Sequence, residues 1–264
     1  MKRRILKILK WSLLLGYLVV MLGFVKGMQH KAVCNKISIH IEGNEKFVDT
    51  SDVNKLLTNN GINCIRIPLN SINFDKIEAI ISKHPAVAKA QVYSEYEGAL
   101  TIAVIQRKPL LRVIPKDPST ANGFYIDSKA TIMPLSDAYT AHVPILTGEI
   151  SSEFIQSLNG DSVKNKNILA TYHYTLTDVF RFAEFISTHE LWGPQIEQIN
   201  INQEYDIELV PRVGNHIIVL GDLQNYEYKL SKMEAMYREG FKLTDWNQYS
   251  IINLKYSNQV VCKK

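Results

Sequence analysis

Leu100-Thr-Ile-Ala-Val-Ile-Gln106 sets Leu100, Ile102 and Val104 at every second position, and Val87-Ala-Lys-Ala-Gln-Val-Tyr93 before it is a second extended run. Residues two apart share one face of a strand, so the pair predicts two strands, the second with an apolar face. Upstream, Phe74, Ile77, Ile80 and Ile81 repeat at helical spacing, with a cap near Asn70 or Asn73 and an end near His84 fixed by Pro85. Ile65-Arg-Ile67 before Pro68 is extended chain. An earlier helix carries Val53, Leu56 and Leu57 on one side, begins at Asp49 or Thr50, and stops at Asn60-Gly61. Ile37-Ser-Ile-His-Ile41 alternates as a half-buried strand, and Glu42-Gly43-Asn44 turns it. Residues 36–106 thus predict strand, helix, helix, strand, strand: a small sheet with two helices over one face.

Lys108-Pro109 marks the start of a second unit, 107–264. Phe124-Tyr-Ile-Asp127, a Ser-Lys-Ala turn and Thr131-Ile-Met-Pro-Leu135 predict a hairpin, followed by Val143-Pro-Ile-Leu-Thr-Gly148. Residues 149–176, with Asn159-Gly160-Asp161, are polar and aperiodic and predict a surface excursion. A helix capped by Thr177 or Asp178 turns Val179, Phe182, Phe185 and Ile186 inward. Ile196–Ile201, Tyr205–Val210 and His216–Leu220 alternate as three strands, Gly214-Asn215 turning the last pair. A helix over about 225–238 carries Leu230, Met233, Met236 and Tyr237, and Gly240 closes it. A last strand from about Tyr249 to Leu254 continues through Lys255-Tyr-Ser-Asn-Gln-Val-Val261. The fold class expected is α+β, the second unit being built on an extended, mainly antiparallel sheet.

The 264 residues are 46% hydrophobic and 21% charged, within the ordinary globular range. Five of the 30 Lys and Arg lie in the first ten residues; the remaining 25 meet 26 acids, so the net charge of +4 belongs to the tail. That balance excludes an electrostatic footprint for nucleic acid. Ile5–Val25 is a 21-residue apolar run, about 31 Å as a helix, which matches a hydrocarbon core of about 30 Å if Lys7 and Lys10 snorkel. Lys2, Arg3 and Arg4 orient the N-terminus to the cytoplasm, giving a tail over 1–10, a membrane helix over 11–27 (the run starting as early as residue 5) and everything later outside. A cleaved signal peptide is the competing reading, but Lys-Gly-Met-Gln-His-Lys after Val25 contains no small-x-small site. Of three cysteines, an oxidising compartment permits one pair, Cys34 with Cys64, leaving Cys262; three unpaired thiols is the alternative.

The module after the anchor resembles a POTRA (polypeptide-transport-associated) domain, Ile39-His-Ile-Glu-Gly-Asn44 being similar to its first strand and turn. His84-Pro-Ala-Val87, Ala90-Gln-Val92 and Leu100-Thr-Ile-Ala-Val-Ile-Gln-Arg-Lys-Pro109 resemble the second half of that module in the bacterial cell-division family FtsQ/DivIB. The ending, Ile252-Asn-Leu-Lys-Tyr-Ser-Asn-Gln-Val-Val261, is similar to that family's Ile-Asp-Leu-Arg-Tyr-x-Asn-Gln-Val-Val. This chain departs from the pattern at Glu97-Gly98, where the family has a proline, at Gln106, where it has an acid, and at Ala130, in place of the hairpin glycine.

The resemblance implies a non-enzymatic scaffold at the division septum of the inner (cytoplasmic) membrane, holding FtsB/FtsL-like single-pass partners, with no cofactor or small-molecule substrate. A C-terminal sheet edge offers unpaired N–H and C=O groups to which a partner strand can add. Tyr249, Ile251, Asn253, Lys255, Tyr256, Asn258, Gln259 and Val260 are the candidate contacts. Two other classes compete: a POTRA protein handling unfolded envelope clients, and an anchored envelope enzyme. The sequence has no zinc-protease helix among its seven histidines, no Gly-x-Ser-x-Gly elbow, no phosphate loop and no dinucleotide glycine fingerprint. His173 between Tyr172 and Tyr174 is expected to be solvated or packed, and Asp206 and Glu208 share a strand face without marking a cleft.

Overall fold

The computed structural model describes residues 2–29, 33–95, 98–158, 160, 166–241 and 248–264, with backbone alone for 2–9 and 24–29. The side chains of Lys2, Arg3, Arg4 and Lys7, and residues Glu97, Asn159 and Asp161, lie outside it. The chain separates into two compact units, Met1–Gln106 and Arg107–Lys264.

In the first unit, helix α1 (Lys2–Gln29) is continuous. Its described side chains, from Lys10 to Gly23, are all exposed, Leu13 and Leu15 among them. Among the described residues no helix is long and apolar enough to cross a membrane. Strand β1 (Lys36–Glu42), helix α2 (Thr50–Asn59), helix α3 (Phe74–Ile81) and strands β2 (Val87–Ser94) and β3 (Ala99–Gln106) follow. The sheet order is β1-β3-β2, with β1 parallel and β2 antiparallel to the central β3. Asp49 and Asp52 form a reciprocal capping box at α2, and Asn73 accepts the Lys76 N–H at the start of α3. Val53, Leu57, Ile77, Ile80 and Ile81 are buried with Leu100, Ile102 and Val104. The expected order is therefore present, but Ile65-Arg-Ile67, expected to be extended, instead turns, with Arg66 left-handed at φ +66°. Gln106, where the family pattern has an acid, is buried: its side chain accepts the Val48 N–H and donates to the Glu45 carbonyl. Gly98 (φ +83°) sits so close to Val33 that a Cβ would lie 2.3 Å from its carbonyl oxygen, which accounts for glycine there.

The second unit is a nine-stranded mixed sheet. Strands β4 (Pro109–Pro115), β5 (Phe124–Asp127), β6 (Ile132–Pro134) and β7 (Ile145–Gly148) precede helices α4 (Ser152–Gln156), α5 (Lys166–Tyr172), α6 (Leu176–Thr188) and α7 (Trp192–Gln195). Then come β8 (Ile196–Ile201), β9 (Ile207–Pro211), β10 (Ile217–Gly221), α8 (Tyr226–Ala235) with a π-turn over Met236–Gly240, β11 (Ile251–Asn253) and β12 (Val261–Lys263). The order is β12-β11-β10-β9-β8-β7-β4-β5-β6. Leu111, Val113, Leu146, Ile199, Leu209, Ile218 and Ile252 bury one sheet face against Phe154, Phe182, Ile186, Trp192 and Leu230 from the helices.

Three expectations need correction. Residues 109–115, for which the sequence predicts no element, form β4, an internal strand between β7 and β5. The described part of 149–176 is not a surface excursion: α4 and α5 bring Phe154, Ile168 and Tyr172 into the core, with Tyr174 just beyond α5, and Phe154 stacks on Tyr172 with centroids 4.4 Å apart. The cap of α6 is Thr175 and not Thr177 or Asp178, because the Thr175 side chain and that of Asp178 form a capping box. The hairpin β5–β6 turns as expected with Ala130 left-handed at φ +57°. Asp127 holds that turn, accepting from the Lys129 and Thr131 N–H groups and from Arg107 Nη1 at 2.8 Å. Burial raises the Asp127 pKa, but these donors outweigh it and leave it below the usual carboxylate range.

His216 is buried, with Nε2 2.9 Å from the Tyr237 hydroxyl, among the rings of Tyr237 and Phe241. Burial lowers its pKa below 6.5 and pushes Tyr237 up to about 12, so the contact is between neutral groups. Below pH 6.5 the unfolded chain then takes up a proton that the folded chain resists, so stability present at neutral pH is lost as pH falls. Urea midpoints should drop between pH 7 and 5, and His216→Phe should flatten that part of the profile. Phe154→Ala should cost about 3–5 kcal/mol, read as a lower urea midpoint at an unchanged m-value; a loss under about 1 kcal/mol would mean that α4 does not support the core.

Candidate functional site: the C-terminal sheet edge

The final strand expected over 249–261 is two strands. Lys255-Tyr-Ser-Asn-Gln259 is a polar turn, after which β12 runs back antiparallel to β11, pairing Ile251 with Lys263, Ile252 with Cys262 and Asn253 with Val261. β11 lies between β10 and β12, so the outermost strand is β12. At the opposite end β6, as short as β12, ends in Pro134, which has no N–H to offer a further strand.

The turn is fixed from two sides. Leu254 donates to the Val219 carbonyl at 2.8 Å, and the Lys255 N–H is taken by Asn253 Oδ1 at 2.9 Å. Lys255 Nζ then reaches Asp206 Oδ2 at 2.5 Å, and this hydrogen bond, ahead of the cost of burial, raises the lysine's pKa. Its aliphatic stem crosses Gly221 (φ +79°), where a Cβ would meet Lys255 Cγ at 2.8 Å. From α8, Lys232 Nζ donates to the carbonyls of Leu254 (3.3 Å), Tyr256 (2.5 Å) and Gln259 (3.5 Å), one for each ammonium proton. Partial burial and then the neighbouring Lys229 lower the Lys232 pKa.

The eight candidate residues consequently divide. Tyr249 and Val260 are half-buried against the core, and Ile251 and Asn253 are half-buried on β11, one strand in from the edge. Lys255 is occupied by Asp206. Tyr256, at 52% exposure, and Asn258 and Gln259 stand on the outside of the turn. Register adds residues that sequence reasoning did not list. Ile217, Ile251 and Lys263 form one row on the sheet face away from the helices, and Val219, Asn253 and Val261 the next, with Ile217 and Val261 exposed. Cys262 points to the opposite face, its Sγ 3.9 Å from Met236 Sδ. The signal for the turn was present in Ser257-Asn258, a turn-forming pair; nothing in the sequence pointed to Lys232 or Asp206 as its anchors.

Among the described residues no group of three or more His, Cys, Asp or Glu is arranged to hold a metal. His173 is exposed at φ +63°, and Glu208 is taken up by Asn200 and Asn202 at 2.9 Å each. Thr147, Gln198, Asn200, Asn202 and Glu208 are joined by hydrogen bonds into a polar ladder across the uncovered sheet face.

Two family models match the chain, and no curated protein does. Residues 32–105 match a POTRA-like domain. Residues 108–263, more than half of the chain and the whole of the nine-stranded sheet up to Lys263, match the model described as FtsQ/DivIB, C-terminal related. On that extent, with a POTRA-like domain ahead of it, the chain belongs to the FtsQ/DivIB family.

Proposed function

We propose that this chain is a non-enzymatic scaffold of the division septum, held in the cytoplasmic membrane by α1, with residues 36–106 and 107–264 outside. In this reading it binds FtsB/FtsL-like single-pass partners by adding a partner strand to β12. The observation that carries the proposal is the position of β12 as the outermost strand, its approach held rigid by Lys232 and by the Lys255–Asp206 pair. A fixed turn spares an incoming strand the entropy of ordering its template.

Magnitudes decide where affinity comes from. A three-residue edge offers about two or three outward backbone bonds, worth roughly 1–4 kcal/mol net, against an association cost of about 4–15 kcal/mol. Backbone pairing sets register, and side chains must supply most of the binding. Tyr256 beside the edge and the Ile217–Val261 strip on the open face are the anchors that fit. Co-anchoring in one bilayer raises the local concentration of the partner and relaxes the demand further.

The anchor reading rests on the sequence of Ile5–Val25, on the continuous helix Lys2–Gln29, about 42 Å long at about 1.5 Å per residue, and on the exposed apolar side chains of Trp11 to Leu22. The cluster Lys2, Arg3, Arg4 orients it.

Two experiments test these statements. Alkaline carbonate washing of membranes should leave the full chain in the pellet and release a form lacking residues 1–29; full release of the intact chain would remove the anchor. Neighbouring residues of a strand point their N–H groups to opposite sides, so either Val261→Pro or Cys262→Pro deletes an outward donor and spares the ladder to β11. That variant should recover about tenfold less partner in pull-downs from membranes, with an unchanged melting temperature. Recovery of the wild-type amount by both variants would exclude strand addition at β12.

A further inference from the structure

The segment that leads from α1 into the first unit is gripped on both sides. Val33 bridges Pro68, the Cys34 N–H donates to the Ile67 carbonyl at 2.9 Å, and the Arg66 N–H donates to the Cys34 carbonyl at 2.8 Å. On the other side the Asn35 N–H donates to the Gly98 carbonyl at 2.9 Å. The partner strand of this short ladder begins in a tight turn: the Ile67 N–H closes back on the Cys64 carbonyl at 3.2 Å, with Arg66 left-handed at φ +66°. The turn brings Cys64 beside the residue that Cys34 is bonded to.

Side-chain direction completes the juxtaposition. Ile65 and Ile67 point to solvent at 40% and 38% exposure, while Cys34 and Cys64 point inward at 0% and 4%. The ladder and its turn thus commit two inward positions to the two thiols and leave the isoleucines on either side of Arg66 outside. The thiols are close enough to sense each other: burial raises both, and charge on Cys34 would raise Cys64 further. Both are free in this structure. Cys262 has no such neighbour among the described cysteines, lying in the other unit beside Met236.

We propose that Cys34 and Cys64 are a disulfide-forming pair that is oxidised as the chain folds outside the membrane. The inference rests on the outward placement proposed above. Each thiol gives up its hydrogen, one S–S bond forms, and the two electrons and two protons pass to a disulfide of an envelope thiol oxidoreductase, which leaves as a dithiol. The bond ties the chain five residues beyond the last helical residue, Gln29, to the turn after α2, closing a loop that contains 29 intervening residues. Such a closure removes freedom chiefly from the unfolded chain.

The test uses the full chain in its own membranes, quenched in acid, alkylated with N-ethylmaleimide in denaturant without reductant, and digested. Peptides containing Cys34 and Cys64 should appear joined, two hydrogens lighter than their sum, with maleimide on Cys262 alone. Reductant should lower the melting temperature of the wild type and leave that of the Cys34→Ala, Cys64→Ala double variant unmoved. Maleimide on all three cysteines, or a link that includes Cys262, overturns the pairing. Protease added to spheroplasts separates this from a failure of placement. Free thiols in a chain that the protease digests refute the disulfide alone; free thiols in a protected chain refute the outward placement as well.

Discussion

Phe124, Val113, Leu146, Ile199, Leu209, Ile218, Ile252 and Cys262 stand opposite one another on eight successive strands, forming one apolar row across the large sheet. Because side chains alternate, this row fixes which residues of each strand face the helices, and a slip of one position anywhere would turn a whole strand inside out. The positions of α4 to α8, the exposure of the opposite face and the identity of the outer strand all follow from it. Gly148 shows how tightly the arrangement is drawn: at φ +102°, a Cβ would fall 1.9 Å from the Ile201 carbonyl oxygen on the neighbouring strand.

This dependence explains what could be read from the sequence. β1, β8, β9 and β10 set apolar residues at alternate positions, β3 does so at Leu100, Ile102 and Val104 although Thr101 is buried too, and α2, α3 and α6 carry both a stripe and a cap. The element order of the first unit was legible for that reason. β4 was not, because Pro109 and Pro115 bracket it and proline argues against a central strand; both stand at its ends, outside the Leu111–Val113 core positions. Residues 149–176 hid their role differently. Their helices are short and each buries only one or two side chains, too few to show a period, so Phe154 and Tyr172 look isolated in a polar stretch until the sheet gathers them.

The site was half legible. Ile252-Asn-Leu254 announced a strand, and the family likeness announced an edge, but the reversal at Lys255–Gln259 depends on two lysines whose partners are distant in sequence: Asp206, 49 residues away, and the carbonyls reached by Lys232 from α8. Long-range polar anchoring leaves no local periodicity. It does leave a division of labour, since the residues that shape the turn are half-buried or ion-paired and those free to meet another chain, Tyr256 and Val261, are exposed.

The parallel pairing of β1 with β3 has a mechanical meaning. The chain enters the first unit at the beginning of β1 and leaves it at the end of β3, and seven residue pairs from Lys36–Ala99 to Glu42–Ile105 connect the two. Traction between a membrane-held start and a restrained C-terminal unit would therefore pull the two strands lengthwise past each other. Their bonds share the load simultaneously, as fibres in a lap joint do, where an antiparallel entrance and exit would open one bond after another like a zip. The pairing resists tension applied between the start of β1 and the end of β3.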